Sequence, residues 1–178
     1  MPAADHPTRA RLLTAALELG DERPLGNVSV DEITARAGVA KGTFYVHFPK
    51  RDDFLRALHD EVQRTLAERV GGATAGMSAG AVRLRRGCEA YLDTCLDLTG
   101  VKTLLGRDGP PAETAAETGA GDDRWVAPSA VDLEAMGTDD PLNVARLLVA
   151  ALREIVALEQ SSGRREDLRQ ACWSLFGL

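Results

Sequence analysis

The segment 29–48 constrains the fold most tightly. Ser29, followed three residues later by Glu32, matches the capping-box pattern that begins a helix. This helix is predicted to end at Gly38, and a second short helix is predicted over about 41–46. Two short helices joined by a glycine-containing turn are typical of a helix-turn-helix.

The second helix of this pair has two different faces. Phe44 and Phe48 are four residues apart, so they share one side of the helix and are expected to anchor it to its neighbours. Gly42, Thr43 and Tyr45 lie around the other sides. A small, polar outward surface is what a helix needs in order to enter the major groove of DNA.

Apolar residues elsewhere recur at helical spacing, and no period-two strand pattern occurs. Gly20 is predicted to end the first helix, the glycine-rich stretch 71–80 to form a flexible connection and a domain boundary, and Pro128 to kink or restart a helix. The segment 107–123 is either a loop or the start of that helix. The pattern predicts an all-α chain, with helices over about 8–19, 30–37, 41–46, 51–70, 84–100, up to 137, 142–159 and 164–176.

The helix predicted over 142–159 is apolar around most of its circumference, so it is expected to be buried on two sides. Asp140 followed by Pro141 is predicted to begin it, as an N-cap and a first-turn proline.

Ala, Leu and Val supply most of the core, because aromatic residues make up only 4% of the chain. Four of those aromatic residues fall within 44–54.

Charge and cysteine content narrow the class of protein. A formal net charge of −6 excludes a generally basic protein that coats nucleic acid, but it allows site-specific binding through a local surface. No apolar run is long enough for a membrane span, and no signal peptide is apparent. Three cysteines do not form an even disulfide framework and suggest reduced thiols, so a cytoplasmic location is expected.

The residues 38–48 (GVAKGTFYVHF) and 50–55 (KRDDFL) resemble the DNA-binding domain of the tetracycline-repressor (TetR) family. The match extends over about 8–56 and includes the Tyr-x-His-Phe ending at Tyr45–Phe48. The resemblance implies an all-helical protein with an N-terminal helix-turn-helix DNA-binding domain at 6–50 and a C-terminal ligand-binding and dimerisation domain at 51–178. It also implies a homodimer that binds double-stranded operator DNA and is released from it by a small-molecule effector, most simply as a repressor.

Three sets of site residues follow from the motif and this resemblance. Either Lys50 or Arg51 can contact a phosphate at the start of the fourth helix. The expected DNA contacts are Ser29, Val30, Lys41, Gly42, Thr43, Tyr45, His47, Lys50 and Arg51. The ligand pocket is expected to involve Leu58, Val62, Cys88, Tyr91, Cys95, Leu104, Trp125 and Met136. The dimer interface is expected to involve Leu148, Leu152, Ile155, Leu168, Cys172, Trp173, Leu175 and Phe176, with the last helix displaying Trp173, Leu175 and Phe176.

Other functions remain open at this stage. The chain could be an activator or a ligand-independent regulator, an enzyme or carrier that retains the helix-turn-helix, or a redox sensor acting through its cysteines. The run Arg83, Arg85 and Arg86 could bind an anion, although a solvated helix face is the simpler interpretation. No nucleophile motif, phosphate loop or metal-ligand spacing is present, so no catalytic residue, metal or cofactor is predicted.

Overall fold

The computed structural model describes residues 7–23, 25–98 and 112–178, the last range with side chains from Arg124 onward. The described residues form helices and one short 3-10 turn, without strands, which confirms the all-α prediction. The helices are α1 (Pro7–Glu22), α2 (Val30–Ala37), α3 (Lys41–His47), α4 (Arg51–Thr74), α5 (Ala81–Asp97), α6 (Ala112–Ala135), α7 (Pro141–Ser162) and α8 (Glu166–Phe176).

The chain divides into two compact units. The N-terminal unit contains the described residues up to Arg64 together with Leu98. The C-terminal unit contains Thr65–Asp97 and the described residues from 112 onward. Helix α4 therefore contributes residues to both units.

Three phenylalanines hold the N-terminal unit together. Phe44 of α3, Phe48 just after it and Phe54 of α4 are each 1% exposed. Their ring centroids form a triangle, with separations of 5.4 Å for Phe44–Phe48, 5.1 Å for Phe44–Phe54 and 5.2 Å for Phe48–Phe54. Buried aromatic residues make the largest individual contributions to a small core. The remaining core comes mainly from Leu12, Leu13, Ala16, Leu19 and Ile33.

Helix α7 is the centre of the C-terminal unit. It packs against α5, α6 and α8, so the prediction that it is buried on more than one side is confirmed. The Asp140 side chain accepts the backbone N–H of Asn143 at 3.5 Å, and Pro141 occupies the first turn, as predicted. Buried apolar side chains run along its length, and they include Ala145, Leu148, Val149, Leu152, Ile155 and Val156.

A buried ion pair joins α7 to α8. Glu159 and Arg169 have side chains that are 0% and 1% exposed. Arg169 donates from Nε to Oε1 and from Nη2 to Oε2 of Glu159, both at 2.7 Å, and from Nη1 to Oδ1 of Asp93 on α5 at 2.6 Å. This network is not visible in the sequence, because neither Glu159 nor Arg169 has a distinctive sequence neighbourhood.

Two predicted helix ends are wrong. Helix α1 continues through Gly20 to Glu22, and Gly20 is buried. Helix α4 continues through Gly71 and Gly72 to Thr74. A glycine costs a helix only about 1 kcal/mol, so tertiary packing of the last turn can override it.

The end of α4, past its glycines, lies against α5 at Gly87. A Cβ atom on Gly87 of α5 would lie 3.5 Å from Thr74 Cγ2 and 3.7 Å from Val70 Cγ1. This contact leaves Val70 and Thr74 half-buried against α5, while Gly71 and Gly72 stay exposed. Helix α6 likewise runs through Pro128 as one helix, because a proline removes a single backbone hydrogen bond and the turns on either side retain theirs.

Candidate nucleic-acid interface and ligand cavity

A capping box fixes the start of α2. The backbone N–H of Ser29 donates to Glu32 Oε2 at 2.9 Å, and the backbone N–H of Glu32 donates to Ser29 Oγ at 3.3 Å. Hydrogen bonds from the Ser29 backbone, the Ser29 side chain and Arg23 lower the pKa of Glu32 from 4.5 to about 2. The ionised carboxylate therefore stabilises this helix start, as the sequence predicted.

The turn between α2 and α3 depends on Gly38. Gly38 has a φ of 65°, and its neighbour Val39 donates its N–H to the Thr34 carbonyl at 3.0 Å. Arg11 of α1 donates to the carbonyl oxygens of Ala37 and Gly38. This arrangement places α3 at a fixed angle to α2, which is the geometry of a helix-turn-helix.

Helix α3 presents a small outward surface. Tyr45 is 50% exposed and Val46 is 79% exposed, whereas Phe44 between Thr43 and Tyr45 is buried. Gly42 is also exposed, and a Cβ atom built on it would meet nothing within 4 Å. Thr43 and His47 are half-buried on the same helix. This surface is narrow enough to enter a groove that admits a single helix.

The predicted phosphate contacts differ in their surroundings. The Lys41 ammonium lies 2.8 Å from Asp31 Oδ1, and the hydrogen bond to Asp31 raises the pKa of Lys41. Arg51 donates from Nη2 to the carbonyl oxygens of Leu25 and Val28, each at 3.3 Å. Arg51 therefore positions the loop before α2.

Lys50 and the start of α2 complete the predicted interface. Lys50 is exposed, and its ammonium makes no hydrogen bond or ion pair with another part of the chain that the structure describes. Ser29 and Val30 lie at the N-terminus of α2, where Ser29 is exposed and Val30 is half-buried. Backbone N–H groups at such a terminus attract anions.

The C-terminal unit contains a cavity of about 410 Å³. Helices α4, α5, α6 and α7 supply its walls. Tyr91 and Trp125 form an edge-to-face pair, with ring centroids 5.5 Å apart. The described lining residues are Val70, Thr74, Arg83, Leu84, Gly87, Cys88, Tyr91, Trp125, Pro128, Ser129, Val131, Asp132, Val149 and Leu152.

Only part of the expected pocket set lines this cavity. Cys88, Tyr91 and Trp125 do, whereas Cys95 and Met136 do not. Leu58 and Val62 are core residues of the N-terminal unit, and Leu104 lies outside the described residues. Sequence reasoning missed Arg83 and Asp132 as a pair, because they are 49 residues apart.

The three cysteines are buried, free thiols. Burial raises the pKa of Cys88 and of Cys95 to about 12, and burial also raises the pKa of Cys172. Reactive sensor thiols are exposed and have lowered pKa values. These surroundings are the opposite of what a thiol redox sensor needs.

The expected dimer residues are mostly buried within the chain. Of the residues assigned to the last helix, Leu175 is 77% exposed, but Trp173 is 2% exposed, so the prediction that α8 displays Trp173 is wrong. Leu168 and Phe176 are half-buried. Leu148, Leu152, Ile155 and Cys172 are buried core residues of the C-terminal unit.

The exposed row of α7 lies one residue away from the expected one. Leu147 is 65% exposed and Leu158 is 37% exposed, and Ala151 and Glu154 fall between them on the same side of the helix. A shift of one residue rotates the presented side by about 100° on a helix with 3.6 residues per turn. The core-facing side carries Leu148, Leu152 and Ile155, whereas the exposed side includes Ala151 and Glu154.

In the described part of the chain, no helix is long and apolar enough to cross a membrane, and no group of three or more His, Cys, Asp or Glu residues is placed to hold a metal ion. The fold and the N-terminal site define an all-α protein that carries a helix-turn-helix. Residues 12–58 match the family described as bacterial regulatory proteins, tetR family. The match covers the helix-turn-helix and confirms the resemblance to this family.

Known proteins resemble the chain over different lengths. It is 39% identical over 61 residues to the HTH-type transcriptional regulator EthR of Mycobacterium tuberculosis, covering 34% of this chain and 28% of EthR. It is 28% identical over 171 residues to the A-factor receptor protein of Streptomyces griseus, covering 89% of this chain and 57% of that protein. The chain thus spans less than two thirds of either relative.

The fold is similar to that of a TetR-like transcriptional regulator from Rhodococcus sp. RHA1. The TM-score is 0.76 at 20% identity, and the match covers 99% of this chain and 96% of that chain. At this identity the likeness establishes the fold alone.

Proposed function

We propose that the chain is a transcriptional regulator that binds operator DNA as a homodimer and is released by a small molecule, which makes it a repressor. As expected from the sequence, we assign DNA binding to residues 6–50 and regulation to residues 51–178. The exposed surface of α3 is the single observation that carries this proposal. The phenylalanine triangle fixes one side of α3, and Tyr45 and Val46 project from the other.

The proposed DNA contacts separate into base and phosphate contacts. Gly42 and Thr43 of α3 would approach the base edges, while the Tyr45 hydroxyl and His47 would reach phosphates. Lys50 would contact a phosphate directly, and Arg51 would hold the loop that carries the start of α2. Lys41 would exchange Asp31 for a phosphate when DNA binds, because both partners are more than half exposed.

Tyr45→Ala tests the DNA-contact assignment. Sites would first be selected from a randomised duplex pool with the natural protein, and affinities then measured at several stated salt concentrations. Loss of a charge-assisted hydrogen bond costs about 1.5–3 kcal/mol, so we expect affinity to fall by about ten- to a hundredfold. Val82→Ala is the matched control, because Val82 is 75% exposed on α5. Unchanged affinity in Tyr45→Ala would contradict the assignment.

The salt dependence gives a second readout of the same interface. Each phosphate neutralised by a lysine or arginine adds about 0.9 to the slope of log affinity against log salt. Lys50→Ala should therefore reduce this slope by about one for each subunit. Arg51→Ala would instead act on the loop before α2. A slope that Lys50→Ala leaves unchanged would show that Lys50 does not contact phosphate.

The homodimer is proposed to form through α7 and α8. The exposed apolar residues of these helices are Leu142, Leu147, Leu158 and Leu175, which are 45%, 65%, 37% and 77% exposed. We propose that these leucines pack against the partner protomer, because association would remove their apolar surface from water. Two recognition helices in successive major grooves would require half-sites about 34–36 Å apart on palindromic DNA.

The effector is proposed to act through α4. Val70 and Thr74 of this helix line the cavity, and the same helix begins at Arg51 in the N-terminal unit. A ligand that binds better to the α4 position found in the DNA-free dimer would reduce the population that binds DNA. We propose a cytoplasmic site of action, as expected from the sequence, because bacterial DNA lies in the cytoplasm.

A further inference from the structure

We infer that the cavity of the C-terminal unit binds an uncharged aromatic molecule that carries a hydroxyl group. This inference rests on the proposed effector role, and it names the chemical class of the effector. The cavity walls combine an aromatic, apolar surface with one charged pair of opposite signs, Arg83 and Asp132. The apolar surface would contact the aromatic ring of the ligand, and the charged pair would contact its hydroxyl group.

The apolar surface fits a flat ring system. Tyr91 and Trp125 meet edge to face across the cavity wall, and this arrangement offers both a ring face and a ring edge to a third ring. Leu84, Val149 and Leu152 supply the remaining apolar contacts. A volume of about 410 Å³ equals on the order of a dozen water molecules at roughly 30 Å³ each, so a ligand of about ten to twenty non-hydrogen atoms would fill it.

The polar surface offers a donor beside an acceptor. Asp132 Oδ1 accepts from Arg83 Nε and from the Gly80 backbone N–H, both at 2.8 Å. Within the described residues, no further hydrogen bond or ion pair reaches Asp132 Oδ2 or the two Nη atoms of Arg83. A hydroxyl group matches this pair, because it can donate to the carboxylate oxygen and accept from the guanidinium.

The charge of the pair excludes strongly charged ligands. Arg83 and Asp132 carry opposite charges 2.8 Å apart, so any ionic group placed beside them would face one like charge. The Asp132 side chain is only 8% exposed, and an ion would have to leave water to reach it. Cys88, the thiol in the wall, stays protonated because burial raises its pKa to about 12, so it adds no charge. A neutral hydroxyl group avoids these costs.

Three naphthalenes of nearly equal size test the inference: 2-naphthol, naphthalene and 2-naphthoate. Binding to the DNA-free full chain would be measured by calorimetry at pH 7. We expect 2-naphthol to bind at least about tenfold tighter than either of the others, the difference expected for one hydrogen bond to a charged group. Asp132→Asn retains an oxygen that can accept from the Gly80 N–H, but it replaces a charged acceptor with a neutral one. In this variant, 2-naphthol should bind only about threefold tighter than naphthalene, or less.

Two variants at one position test the location. Gly87→Ala adds only a Cβ atom, which has ordinary contact distances to Thr74 and Val70. Gly87→Leu adds three more carbons in the cavity wall. We expect Gly87→Leu to weaken 2-naphthol binding by at least about tenfold and Gly87→Ala to change it by less than about threefold, because only the larger side chain occupies ligand volume.

Equal binding of naphthalene would show that Arg83 and Asp132 serve the fold alone, and would overturn the inference. Tighter binding of 2-naphthoate would show an anion site at Arg83, and no binding of any probe would exclude an aromatic ligand. Each of these results leaves the DNA-binding proposal standing if the chain still selects a specific duplex. Failure to select a duplex, with 2-naphthol bound as expected, would instead remove the regulator proposal and keep the ligand class.

Discussion

Substitution of Arg169 by methionine tests the energetic importance of the buried ion pair. The change removes all three of its hydrogen bonds to carboxylates and leaves Glu159, which is 0% exposed, with the Arg165 backbone N–H at 2.9 Å. Leaving one charge of a buried pair without its partner costs about 3–5 kcal/mol. For a chain of this size, that loss corresponds to a fall in melting temperature of about 6–20 °C.

The assay is urea unfolding followed by far-ultraviolet circular dichroism, at one protein concentration for all variants. Arg164→Met is the matched control. Arg164 also contacts Asp93 Oδ1, at 2.8 Å, but its side chain is 52% exposed. An exposed pair contributes about 0–1 kcal/mol, so the control should lose far less stability than Arg169→Met.

The double variant Glu159→Met with Arg169→Met separates the attraction between the two charges from the cost of removing each charge from water. Replacing a whole buried pair by apolar residues is often neutral or stabilising, so this variant should recover most of the loss. The reasoning would be refuted if Arg169→Met cost less than about 1 kcal/mol, the value for an exposed pair. It would also be refuted if the double variant were as unstable as Arg169→Met alone.

Three further predictions concern the N-terminal unit and the proposed dimer. Gly38→Ala should lower the free energy of unfolding by about 1–2 kcal/mol in urea titrations, because a Cβ atom is strained at this positive φ and would lie 3.0 Å from Arg11 Nη2. The pKa of Glu32 is lowered from 4.5 to about 2, so its contribution to the free energy of unfolding is complete above pH 4.5 and is lost as the pH falls towards 2. The stability advantage of the natural chain over Glu32→Gln should therefore shrink between these two pH values. Urea titrations at several pH values measure this difference. Leu147→Glu should weaken the dimer at least about hundredfold in sedimentation equilibrium, because it would bury an unpaired charge, whereas Val82→Glu should leave it unchanged.

Local signals were sufficient to predict the N-terminal unit. The capping box at Ser29 and Glu32, the glycine at 38 and the spacing of Phe44 and Phe48 each act within a few residues, so the sequence shows them directly. The structure confirms each of them. Helix ends at Gly20 and Gly71 were wrong because tertiary packing decided them, and the contact of Gly87 with Thr74 and Val70 is not visible along the chain.

The C-terminal unit depends on long-range contacts and was harder to predict. The sequence showed that α7 is apolar around most of its circumference, but it did not show which apolar side faces the core. Leu148 and Leu152 are buried, whereas Leu147 is exposed. The cavity pair Arg83 and Asp132 belongs to two different helices, α5 and α6, and no local pattern connects them.

Intrinsic tryptophan fluorescence comes from one unit of the chain only. Both tryptophans, Trp125 and Trp173, lie in the C-terminal unit. Their emission therefore reports the unfolding of that unit, while far-ultraviolet dichroism reports the helices of both units. If the two units unfold together, the two signals will give the same midpoint. If the helix-turn-helix unfolds separately, dichroism will show a transition during which the emission does not change.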